Sequence, residues 1–210
     1  MFGSSEQGAR PARLDRDRGL VEAARRDPSR FDALYRKYLA QVYSYAFYEL
    51  RDHHAAEDAT ERVFMQALAG LPRFEERVDE FLALRAPSNL ADAAEFSTFR
   101  VWLFRIARNV VANERRRDRR RPVSPLDAAG ELSAPDAAAD TAVAREAISA
   151  AWQAVERLPE DRRRAIILRF VDEMSTAEIA AILGRSEGAV RVLLHRALRA
   201  VADDLRGGLS

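Results

Sequence analysis

The sequence predicts an all-α protein: two helical domains joined by a flexible linker, the C-terminal one a helix-turn-helix. Apolar residues recur at helical spacing along nearly the whole chain, and no run sustains the alternation of a half-buried strand. A Pro-, Ala- and Asp-rich stretch over 122–141 has little that could enter a core, and it is longer than a compact domain tolerates in a loop. Finally, Ser175–Arg196 places a capping residue, a small residue, a turn glycine and a buried valine at the spacing of two crossed helices.

Residues 1–18 carry Gly, Ser, Pro and four arginines and are expected to form a loose arm. The first domain, 19–121, opens with a short helix over Arg18–Arg26 that Asp27-Pro28 stops. Ser29 is the expected cap of a longer helix whose inward stripe is Phe31, Leu34, Tyr35, Tyr38, Val42 and Tyr45. A break near Arg51–His53 leads into a helix from about Ala55 to Ala69, buried through Ala59, Val63, Phe64, Ala67 and Leu68 and ended by Pro72. Residues 75–95 form an acidic insert in which Glu75–Leu84 has the pattern of a short helix. From Ser97 a strong helix runs through Val101, Trp102, Phe104, Ile106 and Val110 into an arginine cluster; Trp102 is read as core.

The second domain, 142–206, begins with a helix over Thr141–Arg157, a turn at Leu158-Pro159-Glu160 and a helix over 161–171. Ser175 with Glu178 is a capping box, and Ile179, Ile182 and Leu183 are the apolar face that follows it. Gly184 supplies the left-handed residue that ends that helix, and Ser186 caps the next. Val190, Leu194, Ala197 and Val201 form the buried stripe of the last helix. Glu187, Gly188, Arg191, Val192, His195 and Arg199 then face outward, the arrangement by which a recognition helix enters a major groove.

The formal net charge of +1 conceals a strongly uneven distribution. Phe99–Arg121 holds nine arginines against Glu114 and Asp118, whereas Leu126–Asp140 holds four acids and no base. Absent cysteine excludes disulfides and thiolate zinc sites. No apolar run reaches the length of a membrane span and the N-terminus lacks a signal-peptide core, so a cytoplasmic protein is expected.

Arginine suits phosphates, whereas aromatics and Asn can hold an unstacked base. Asn109 and Asn113, four apart on one helical face, are less needed for packing than Trp102 and are the better candidates for base contact. His53, His54, Glu57 and Asp58 could in principle approach a metal, but a second set of ligands is missing and helix-start charge explains them; no metal is expected. No nucleophile–base pair or glycine-rich phosphate loop stands out, so neither enzymatic activity nor a cofactor is expected.

These pieces, in this order, resemble the extracytoplasmic-function (ECF) sigma factors of the bacterial sigma-70 family. Phe31–Tyr38 looks like that family's opening helix, and Ala56–Phe64 is similar to its core-polymerase-binding motif. Phe99–Asn109 closely matches its promoter-melting helix, and Leu158–Arg162 with the helix-turn-helix matches its −35-reading domain. The resemblance implies a dissociable polymerase subunit whose partners are RNA polymerase core, promoter DNA and an anti-sigma protein. It implies core docking by Asp58, Glu61, Val63 and Phe64. At the −10 element it implies base contact by Asn109 and Asn113, with Arg105, Arg108, Arg115, Arg116 and Arg117 on the adjacent backbone. At the −35 element it implies Ser186, Glu187, Arg191, Val192, His195, Arg196 and Arg199, with Arg191 and Arg196 on phosphate or guanine. Glu61-Arg62 stands where the family commonly has Gln-Glu, and Val192-Leu193 where it commonly has Ser-Arg; the 75–95 insert is additional. Two alternatives are a helix-turn-helix regulator of duplex DNA that works without polymerase, and a metal-dependent hydrolase using the His53 cluster.

Overall fold

The computed structural model describes residues 16–75, 96–118 and 142–207, and among these every regular element is helical. In chain order they are α1 (Arg18–Arg26), α2 (Phe31–Leu50), α3 (His53–Gly70), α4 (Thr98–Asp118), α5 (Ala142–Glu156), α6 (Glu160–Ile166), α7 (Thr176–Leu183) and α8 (Glu187–Gly207). The expected helix at 75–84 and the linker at 122–141 lie outside the described residues.

Helix α1 has the expected bounds, but Ser29 is not the cap of α2. Asp27 accepts hydrogen bonds from the Ser29 N–H (3.0 Å) and hydroxyl (2.7 Å), folding Pro28–Arg30 into a 3-10 turn from which α2 starts at Phe31. The longer carboxylate side chain preceding the proline wins the capping role. Helix α2 ends where Arg51 turns left-handed (φ 63°) and its N–H reaches Phe47 O. Asp52 caps α3, accepting from Ala55 N at 2.6 Å.

Phe31, Leu34, Tyr38, Val42 and Tyr45 of α2, Ala59, Val63, Phe64 and Ala67 of α3, and Phe99, Leu103, Phe104, Ala107 and Val111 of α4 are buried together. Two expected core residues are not: Tyr35 and Leu68 are 38% and 42% exposed, because they sit at the edges of their apolar stripes. Trp102 is partly buried against Phe74, Phe99 and Gly70. A Cβ at Gly70 would stand 3.0 Å from the indole, so a glycine lets the edge of the ring approach α3 closely.

Asp17 is the buried polar pin of this half. Its carboxylate accepts from Lys37, Tyr38 and Ser97, tying the start of α1 to α2 and to the N-terminal end of α4. Burial disfavours its ionised form, but the hydrogen bonds from Lys37, Ser97 and Tyr38 outweigh it and hold the carboxyl below its ordinary value. The stabilisation is therefore complete above the unfolded value of ~3.9 and is lost as pH falls through the lower folded value. Asp17→Ala is expected to cost about 2 kcal/mol in urea unfolding at neutral pH. Asp17→Asn should also flatten the acid limb of the stability profile; an unchanged limb would exclude Asp17 as its source.

The second half begins with α5, whose Trp152 stacks on Tyr48 of α2 (centroids 4.3 Å apart). The helix expected over 161–171 is α6 followed by a π-helical turn at Ile167–Val171. Ser175 and Glu178 form the predicted reciprocal capping box, and Gly184 ends α7 at φ 69°. Ser186 Oγ accepts from Ala189 N at the start of α8. Ala180 is fully buried at the α7–α8 crossing, as are Val190 and Ala197, whereas Leu194 and Val201 are partly buried. The two halves pack on each other: Ile167, Leu168, Met174, Ile179 and Ile182 join the same buried cluster as the α2–α4 core.

Candidate nucleic-acid interface

Ser97 starts α4, its hydroxyl accepting from Arg100 N at 3.0 Å and its carbonyl from Val101 N. With Phe99, Leu103, Phe104 and Ala107 turned into the core, helical geometry places Asn109 and Asn113 on the exposed side, where both are found. Asn113 opens onto a cleft of about 390 Å³ between α3 and α4, lined also by Arg62, Gln66, Glu114, Arg116 and Arg117. Glu114 is held by Arg62 of α3 at 2.6 Å, with Arg117 at 3.7 Å on its other side. Arg116 and Arg117 are exposed at the helix end, so this cleft is polar, basic and open to solvent.

The other arginines expected at the −10 element are engaged within the chain. Arg105 donates through Nε and Nη2 to Ala181 O (3.1 and 2.8 Å), and Arg108 through Nη1 to Ile182 O (2.8 Å). Arg115 donates to Glu49 Oε2 at 2.8 Å. The structure thus brings Asn109, Asn113, Arg116 and Arg117 to one open face and places Arg105, Arg108 and Arg115 against other parts of the fold.

Three further groups escaped sequence reasoning. Glu49 is buried at the end of α2 and receives, besides Arg115, Arg163 (3.4 Å) and Arg164 (3.3 Å) from α6. Arg100 is buried, donates to Asp172 O and lies 3.5 Å from Glu178. Burial pushes the Asp172 and Glu178 carboxyls upward, with Arg100 opposing the rise in both. The only sequence signal for Glu49 was a lone acid following the apolar run Ala46–Tyr48.

On α8 the outward face is Arg191, Val192, His195, Arg196 and Arg199, all exposed, with Ser186 exposed at its start. Glu187, expected to face outward, is a correction: it is 7% exposed, turned back at the first turn of α8, with Arg191 Nη1 3.5 Å from its Oε2. A carboxylate there is favoured by the helix dipole and braces the arginine one turn on. Val192 is half exposed, presenting methyl groups between cations.

On α3, Asp58 and Glu61 are exposed, and Glu61 and Phe64 line an apolar groove of about 410 Å³ with Phe31, Tyr35, Met65 and Leu68. Val63 is the second correction: it is fully buried against α2 and α4, so it can support a docking surface but not touch a partner. Phe64 is nearly buried, packed edge-on to Tyr35 at 4.8 Å. His53 stacks on Phe47 (4.4 Å) and its Nδ1 is hydrogen-bonded to Tyr43 Oη (2.7 Å), while His54 is exposed beside Glu57. Among the described residues no His, Asp and Glu group converges as metal ligands would, and no helix is long and apolar enough to cross a membrane.

Two family models match the chain, sigma-70 region 2 over residues 34–86 and sigma-70 region 4 over 148–201. BldN of Streptomyces coelicolor, an ECF RNA polymerase sigma factor, is 31% identical over 196 residues, covering 89% of this chain. The chain spans 66% of BldN, slightly under two thirds of its length. SigL of Mycobacterium tuberculosis, also an ECF RNA polymerase sigma factor, is 31% identical over 185 residues, 85% of this chain and 90% of SigL. The fold is similar to that of RpoE from Bartonella quintana, solved in complex with the anti-sigma factor NepR. That match has a TM-score of 0.55 at 23% identity, covering 84% of this chain and 96% of RpoE.

Proposed function

Because this chain belongs to the ECF sigma factors of the sigma-70 family, we propose that it is a dissociable RNA polymerase subunit that supplies promoter recognition. Residues 19–121 act as region 2, binding core polymerase and capturing the −10 element. Residues 142–206 act as region 4 on the −35 duplex, and 122–141 connect them. The observation that carries the reading is the pairing of two differently built faces on one chain. The α4 face offers amides and arginines around a cleft, which suits an unstacked strand. The α8 face is a helix with exposed cations and a half-exposed valine, which suits a major groove. A regulator that reads only duplex DNA has no use for the first.

In this reading the protein performs no chemistry. Binding energy from single-strand capture at Asn109 and Asn113 shifts the promoter from closed to open, and the duplex anchor at −35 sets the position. Asp58 and Glu61 meet the polymerase beside the groove that Phe64 lines, work that belongs to the cytoplasm, and an anti-sigma protein would act by covering one of these surfaces.

Run-off transcription with purified core polymerase, with and without the chain, tests the proposal. Promoter-dependent transcripts only in its presence are expected; duplex binding without any transcript would favour the regulator instead. Asn109→Ala should lower open-complex formation about tenfold, the loss of one base-specific contact of about 1–2 kcal/mol, while polymerase binding is retained. Loss of polymerase binding would place Asn109 elsewhere in the mechanism.

A further inference from the structure

We propose that Arg62 of α3 contacts the nucleic-acid backbone, so that the strand-binding surface spans both walls of the α3–α4 cleft and not α4 alone. The inference rests on the assignment of α4 to promoter DNA. Ala56, Ala59, Val63 and Ala67 form the buried stripe of α3, and two flanks border it. On one flank Glu57, Glu61, Phe64 and Leu68 line the apolar groove shared with α2. On the other, Arg62 and Gln66, four residues apart and therefore one above the other, line the polar cleft shared with α4. The segment Ala56–Phe64 is thus divided in space. Arg62 lies across the buried stripe from the groove that Glu61 lines.

Arg62 is fixed before any ligand arrives. Its Nε donates to Asp58 O one turn back (3.0 Å), and its Nη1 donates to Glu114 Oε2 of α4 (2.6 Å). The guanidinium fork carries further N–H donors, which can serve a phosphate oxygen while the pair with Glu114 holds. Holding the arginine across the cleft removes rotamer freedom that binding would otherwise cost. Glu114 is the one acid among the lining residues, against Arg62, Arg116 and Arg117, so the cleft keeps a net positive charge. These cations stand on two walls, Arg62 on α3 and the other two on α4. Glu114 lies between Arg62 and Arg117, at 2.6 and 3.7 Å. Asn113 is exposed in the same cleft. A single strand lying there has cations on both sides of its phosphates and a base within reach of the Asn113 amide. Arg62 is also a position at which the chain departs from the common Gln-Glu, so the contact comes from its own sequence.

The probe is a pool of short, fluorophore-labelled, random-sequence single-stranded oligonucleotides, because a backbone contact is indifferent to sequence. Fluorescence anisotropy with the full-length chain at low salt is expected to show binding; a chain that does not bind overturns the proposal. Arg62→Gln should weaken binding about fivefold, and the log–log salt dependence should become shallower by about 0.7, one phosphate contact on a single strand. Arg62→Lys should restore most of that slope. Core-polymerase binding should be retained in Arg62→Gln. Gln66→Lys, at an exposed position on the same wall, should tighten binding and steepen the slope. Met65→Lys adds the same charge on the groove flank and should change neither. An unchanged slope in a folded Arg62→Gln overturns the proposal. If circular dichroism shows that variant unfolded, an unchanged slope in Gln66→Lys does so instead. Equal tightening by Gln66→Lys and Met65→Lys would mean bulk charge and is equally fatal. Lost polymerase binding with intact oligonucleotide binding would return Arg62 to docking. These readouts also part the two proposals. A failed run-off assay with the oligonucleotide differences intact removes the polymerase-subunit reading alone; normal transcription with no effect at Arg62 removes only this inference.

Discussion

Phe104→Ala is expected to destabilise the protein by about 3–5 kcal/mol. The ring is fully buried and meets Tyr45 of α2 edge to face, with centroids 5.6 Å apart. Leu103, Ala107 and Val111 of the same helix are buried around it, as are Tyr38 and Val42 opposite. Truncation removes the transfer free energy of the ring and leaves a void that three long helices cannot close without shifting. Domains are stable by only about 5–15 kcal/mol in total, so this single change consumes a large part of the margin. The functional consequence follows from the position. Phe104 lies between the turns that carry Arg100 and Arg108, so loosening it releases the helix that presents Asn109 and Asn113. Urea unfolding should show a lowered midpoint, and both core-polymerase binding and open-complex formation should fall together. Phe104→Leu, which refills most of the space, should cost much less. A Phe104→Ala loss under about 1 kcal/mol would mean that α4 is not held by its apolar face.

Local signals in the sequence carried the helices and their ends well, because caps and turns are decided within a few residues. The capping box at Ser175 and Glu178 and the left-handed Gly184 are of this kind. Where two local signals competed the reading failed, as at Asp27 and Ser29, since both can cap and geometry decides. Periodicity identified the buried face of each helix but not its width. Tyr35 and Leu68 look like core by spacing but are 38% and 42% exposed, lining the open groove beside Phe64. Glu187 shows the reverse: a charged residue at an expected outward position is buried, 3.5 Å from Arg191 one turn on. The joint between the halves was illegible for a different reason. Glu49 meets Arg163 and Arg164 more than a hundred residues away, and no local spacing encodes such a pair. The arginines of α4 are read from the sequence as donors to a DNA backbone, and the structure gives Arg105 and Arg108 acceptors inside the chain. A sequence can show that a donor is present; only the fold shows what it donates to.

Arg191→Ala should weaken binding to the −35 duplex by about 1–3 kcal/mol, roughly ten- to a hundredfold, if the guanidinium makes a bidentate contact to a base. Arg191 is exposed on the first turns of α8, the part of a recognition helix that reaches the base edges. Glu187, one turn earlier and largely buried, stands 3.5 Å from Arg191 and restricts where its long side chain can go. Preorganisation of that kind reduces the entropy lost on binding and narrows the set of bases that fit. Two outcomes separate the roles. A base contact predicts that Arg191→Ala costs affinity on the preferred duplex and little on others. A phosphate contact predicts a uniform loss with a salt dependence shallower by about one counterion. Glu187→Gln adds a further discrimination: it leaves the arginine in place but removes its charged brace, so specificity should fall more than affinity on non-preferred duplex. Val192 supplies the neighbouring test, since its half-exposed methyl groups have no hydrogen-bonding capacity and gain most from a thymine methyl. If uracil replaces thymine throughout the site without loss in the native chain, Val192 does not read the duplex, and selectivity rests on Arg191 and its basic neighbours.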